Sequence, residues 1–132
     1  MNKNENLHVT LLICNQPDRN GVVFPEGLIK EALSKGPGII RGEVLFEDEP
    51  GLREWNQLAE ERVGIEVSDF SIRQQQVTGR VRFAGPRAEA AQKLVESGHG
   101  EYALRALVIK DHNENVTEIR QLLSFDLIDK ER

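Results

Sequence analysis

The run Glu101-Tyr102-Ala103-Leu104-Arg105-Ala106-Leu107-Val108-Ile109 has the composition of a buried β-strand. It is short, apolar and rich in branched side chains, with Gly98 and Gly100 before it and a polar cluster at 111–115 after it. One cation, Arg105, stands in its middle. A guanidinium is costly to bury without hydrogen-bond partners, so Arg105 either lies on a wet face or meets a specific acceptor. Taken alone, the run fits a strand with one polar face; its neighbours along the chain change the weighting.

Working outward, the preceding segment is helical. Gly85-Pro86 opens it, Ala90, Ala91, Leu94 and Val95 form an apolar stripe, and Gly98 closes it. Before that, residues 63–72 and 77–83 alternate as two strands of a hairpin around a polar turn at 73–76. The alternation changes phase near Asp69, which predicts a bulge there. After the central run, residues 116–128 form a long last strand interrupted by polar residues. Toward the N-terminus, residues 7–14 form a strand, and Asn20-Gly21 belongs to a dense turn cluster. Pro25 suits the first turn of a helix whose stripe is Leu28, Ile29, Ala32 and Leu33, with Gly36 at its end. Residues 39–46 are a further strand, broken by Glu47-Asp48-Glu49-Pro50-Gly51. Residues 52–61 have helical propensity with few apolar anchors. Residues 1–6 are expected to be a disordered tail and 7–132 a single domain. The expected fold is α+β: a small, mostly antiparallel β-barrel of about six or seven strands with two or three flanking helices. Helices are too few for alternating βαβ units.

Composition narrows the function. The chain has 132 residues, 39% hydrophobic and 30% charged, with a net charge of -5. The basic residues are scattered among acids, which argues against nucleic-acid binding. No apolar run approaches membrane-spanning length, and no signal-peptide core follows Met1. The single Cys14 falls in an apolar run and is expected to be a buried, inert thiol. No nucleotide loop, Cys/His ligand pair or HExxH helix is present, so neither a metal nor a cofactor is expected. His112 beside acids is expected to be a solvated turn imidazole, and the 47–49 acids a solvated loop. Trp55, Phe70 and Tyr102 are the candidates for partner-facing aromatic anchors, with core packing the commoner fate for Phe70 and Tyr102.

The order of the pieces carries a resemblance. Asn20-Gly21-Val22-Val23-Phe24-Pro25 resembles the Asn-Gly-Arg-x-Tyr-Pro lead-in of the prohead core proteases of tailed phages. Gly42-Glu43-Val44 is similar to their Gly-Glu-Leu, which precedes the catalytic histidine and a proline. Val77-Thr78-Gly79-Arg80-Val81 and the helix from Gly85-Pro86 to Gly98 match the next elements. Tyr102-Ala103-Leu104-Arg105-Ala106 falls where that family carries Val-Ser-Ser-Arg-Gly, which holds the nucleophile. Phe125-Asp126-Leu127-Ile128-Asp129 is similar to the end of the closing strand.

The resemblance implies a herpesvirus-assemblin-type barrel, a fold whose active members cleave scaffold and capsid proteins. It also implies a degenerate site. The histidine position holds Phe46, or one of the acids 47–49 if the chain is aligned back from Pro50. The serine positions hold Ala103 and Leu104. Alanine has no hydroxyl to deprotonate and phenylalanine cannot accept a proton. Arg105 stands where the family's arginine helps stabilise the oxyanion. Without a nucleophile it is expected to be structural, held by backbone carbonyls or by an acid such as Asp126.

The implied function is therefore non-enzymatic: a component of the virion head, assembled in host cytoplasm, with capsid or scaffold proteins as partners and self-association compatible. Two alternatives stand beside it. One is an active maturation protease using Ser97 and His99; the other is a small binding module or inhibitor of a host protein.

Overall fold

Alternating and branched residues form strands, and two amphipathic segments form helices, in a computed structural model that describes residues 7–46 and 57–130. In chain order these are β1 (Leu7–Ile13), α1 (Glu26–Lys35), β2 (Ile39–Leu45), a single 3-10 turn (Glu60–Arg62), β3 (Val63–Arg73), β4 (Gln76–Phe83), α2 (Ala88–Ser97), β5 (Gly100–Lys110) and β6 (Val116–Asp129). The six strands make one sheet in the order β1-β4-β3-β2-β6-β5. All neighbours are antiparallel except β2 and β6.

The sheet curls into a half-barrel. The expected closed barrel is not formed, because β1 and β5 both remain edges. Between them lies a cleft of about 370 Å³, crossed by the Arg19–Glu101 ion pair at 3.3 Å. The run 101–109 is thus an edge strand, although Ala103 to Ala106 are buried in it. Burial there comes from its two faces rather than from flanking strands.

Bulges supply the curl. The Asp69 phase change is present: β3 slips against β4 between Ser68 and Ser71, and Asp69 takes φ 54°. Phe70 then turns inward, its ring 5.7 Å from that of Phe125. In β6 the register against β5 slips three times, passing over Leu123, Arg120 and Thr117. Each slip restores the inward phase, so Val116, Ile119, Leu122 and Phe125 recur every third residue on the covered side, Ile119 being only half-buried. An extra residue on one strand bends it and increases its twist.

Both helices match their sequence signals. Ile29 of α1 and Ala91 and Leu94 of α2 are buried. Gly98 takes φ 79° and ends α2, with the His99 N–H bonded to the Leu94 carbonyl at 3.2 Å and its own N–H to that of Val95 at 3.2 Å. The helical expectation for 52–61 does not hold over the described part. Residues 57–59 are extended or bent, and only the 3-10 turn follows. Residues 1–6, the acids 47–49 and Trp55 lie outside the described residues.

Gly42 is required by close approach. A Cβ there would stand 1.8 Å from the carbonyl oxygen of Phe125, so only glycine lets β2 sit this near β6. Gly27, on α1, has open space around its Cα. Gly42→Ala should therefore lower stability by about 1–3 kcal/mol, whereas Gly27→Ala should raise it by roughly 0.5–1 kcal/mol. Urea midpoints of the two variants check both signs.

Candidate functional site

Arg105 is 3% exposed and lies among acids. Its Nε donates to Asp126 Oδ2 at 2.8 Å and its Nη2 to Asp126 Oδ1 at 3.3 Å. The same Nη2 reaches Glu43 Oε2 at 2.8 Å, and Nη1 donates to the Gln57 carbonyl at 3.2 Å. Glu43 and Asp126 are 0% and 2% exposed. Ser124 Oγ donates to Asp126 Oδ1, as does the Glu43 backbone N–H at 3.1 Å. The Ala59 N–H donates to Glu43 Oε2 at 2.7 Å. Glu43 Oε1 is buried and has no hydrogen-bond partner among the described residues.

Strand register explains the convergence. Arg105 pairs with Ser124 and Ala103 with Asp126, so alternation puts all four side chains on one face. Val44 is level with Leu127, which puts Glu43 level with Asp126 on the next strand. Leu104 points the other way, into the apolar core with Phe125 and Leu127. Residues 57–62 run over the polar face, tied at the rim by a bidentate pair in which Arg41 holds Glu60 at 2.7 and 2.8 Å.

Electrostatics follow from this dry packing. Burial pushes the Asp126 carboxyl above the ordinary aspartate value, against the pull of Arg105, Ser124 and the Glu43 N–H. For Arg105, burial works against the charged form, but Asp126 and Glu43 outweigh it and raise its pKa. Such a cluster consumes charge to hold three strands together. Its arginine binds through Nε and both terminal nitrogens, the geometry in which Lys cannot substitute.

Of the residues singled out from sequence, Arg105 meets Asp126 as expected, but the others are not brought into one place. Phe46 follows β2 and has the Arg87 guanidinium 5.4 Å over its ring. By register it lies roughly 10 Å along and two strand spacings, about 10 Å, across from Ala103. Ala103 and Leu104 are buried on opposite faces of β5. Tyr102 is half-buried in the β1–β5 cleft; burial raises its phenol pKa, and its hydroxyl has no partner among the described residues. Ser97 Oγ donates to the Leu94 carbonyl at 3.0 Å and accepts the His99 N–H at 3.3 Å, closing the end of α2. Cys14 is buried, and burial raises its thiol pKa. Among the described residues, no group of three His, Cys, Asp or Glu side chains could hold a metal ion, and no helix is long and apolar enough to cross a membrane.

Glu43 and Ser124 are the members that sequence reasoning did not assign. A signal existed: Arg105 and Asp126 are each a charge flanked on both sides by apolar residues, and Glu43 stands just before Val44-Leu45.

No protein-family model and no curated protein sequence matches the chain. Among solved structures, the capsid assembly protease gp21 of bacteriophage T4 is similar, with a TM-score of 0.64 and 18% identity. The match covers 93% of this chain and 80% of that one. The likeness supports a prohead-protease-like fold.

Arg105→Met would leave two buried carboxylates without their cation. It should destabilise the fold by about 3–5 kcal/mol, measurable by chemical denaturation.

Proposed function

We propose that this chain is a non-enzymatic phage head protein built on the maturation-protease fold, acting in capsid decoration, inside the head or in assembly. The carrying observation is what stands on β5 in a fold similar to that of a capsid assembly protease: Ala103 and Leu104, with no hydroxyl between them. Phe46, just after β2, supplies no imidazole. The arginine that follows is committed to Glu43, Asp126 and the Gln57 carbonyl, which is a structural task. Loss of nucleophile and base together removes most of the power of a triad.

Capsid or scaffold proteins are the proposed partners, and the virion head the proposed location. The protease alternative has less support, because Ser97 Oγ is engaged at the helix end.

A fluorophosphonate probe applied to the purified protein should leave every serine unlabelled, and co-expressed capsid and scaffold proteins should stay uncleaved. Labelling at Ser97, with cleavage lost in Ser97→Ala, would replace this reading with that of an active protease. Mass spectrometry of purified particles should find the chain in the head for a decoration or internal protein. Presence in precursor heads alone marks an assembly factor. Absence from both would favour the host-protein binding module.

A further inference from the structure

The two free edges of the sheet differ in how they meet other strands. β1 slips register beside Leu11 and carries His8 and Thr10 as exposed polar side chains. Bulges and polar side chains are the usual devices that blunt an edge. β5 has neither along its second half. Its first residues, Gly100–Tyr102, line the cleft beside β1. From Leu104 to Lys110 no described strand pairs with its outer side. Within that length, residues 106–109 are Ala-Leu-Val-Ile, without a charge or a proline. Leu107 and Val108 are half-buried, and Ile109 is 38% exposed.

The backbone of this stretch is turned for pairing. The Ile109 carbonyl accepts from Thr117 Oγ1 at 3.1 Å, and the Asp111 N–H donates to the Asn115 carbonyl at 2.9 Å. Both partners lie on the β6 side, so the odd-numbered residues of β5 direct their peptide groups toward β6. The register slips pass over β6 residues alone and leave the alternation of β5 unbroken. Leu104, Ala106, Val108 and Lys110 therefore present their N–H and C=O groups at the open edge.

Composition selects what fits there. The chain has a net charge of -5, yet this edge sets no free charge at the seam. Arg105 is buried with Glu43 and Asp126, and Lys110 is paired with Glu114 at 3.7 Å. Two copies can thus meet here without opposing like charges. Full antiparallel overlap of 104–110 with itself puts Leu107 on the two-fold axis. Leu104 then pairs with Lys110 of the second copy, and Ala106 with Val108, through about eight backbone hydrogen bonds. Those four residues are the ones whose peptide groups face outward. Leu107 and Ile109 share one face of β5 and form a single apolar strip with their copies. We propose that two copies of the chain dimerise by pairing their β5 edges antiparallel about Leu107, joining the two half-barrels in one continuous sheet. Such an interface is isologous, each copy giving and receiving the same contacts. One strand pair buries less than the roughly 1,200 Å² of a standard interface, so the dimer is weak and concentration-dependent.

Sedimentation equilibrium of the full chain from about 10 μM to about 1 mM tests this, the mean mass rising from one chain toward two. Leu107→Lys sets two ammonium groups opposite each other and should weaken association by about tenfold or more. Val108→Pro removes an outward N–H but no bond to β6, and should have the same effect. Leu107→Lys decides the matter if the proline variant does not fold. Under mild oxidation Leu107→Cys should give a disulfide-linked dimer, and Thr10→Cys on the β1 edge should not. Monomer alone at the highest concentration would overturn the proposal. So would association unchanged in the folded variants, or cross-linking through Thr10→Cys in place of Leu107→Cys.

Discussion

One guanidinium, shared between Glu43 and Asp126, fastens β2, β6 and β5 where backbone pairing is thinnest. The parallel neighbours β2 and β6 are in register only at Val44 with Leu127 and Leu45 with Ile128. Beyond those pairs the Glu43 N–H turns to a side chain, Asp126 Oδ1. The ion network therefore stands in for missing rungs of the ladder. This explains how a charge can sit in an apolar strand. It also explains why both faces of that strand are buried, one by the core and the other by residues 57–62.

Curvature is the second constraint. An extra residue at three places in β6, and another irregularity in β3 at Asp69, bend a sheet whose edges face each other without pairing. The resulting half-barrel leaves a cleft at the seam, with Tyr102 in it. Closure would have needed a ladder between β1 and β5, and none joins them among the described residues, where the Arg19–Glu101 ion pair crosses the cleft instead.

Much of this was legible in the sequence. Apolar stripes and terminal glycines located both helices, and broken alternation placed the Asp69 bulge. Other features were hidden for physical reasons. Gln74 and Gln75 both adopt positive φ in the two-residue turn between β3 and β4, a conformation usually signalled by Asn or Gly. The threefold spacing of Val116, Ile119, Leu122 and Phe125 imitates one face of a helix, and only the bulges make it a strand pattern. Edge position is set by which strands pair, so an apolar run such as 101–109 does not disclose it. The partners of Arg105 lie 62 and 21 residues away, at Glu43 and Asp126. Sequence supplied charges set among apolar residues, but not the register that joins them.

On the proposed reading, a capsid-protease fold persists because its arginine now serves cohesion rather than chemistry. The most direct measurement is a double-mutant cycle in unfolding free energy between Arg105 and Asp126, using Met and Asn. A structural pair predicts a coupling of about 2–3 kcal/mol. Additivity within about 0.5 kcal/mol would contradict the account, because Arg105 would then be free for another task.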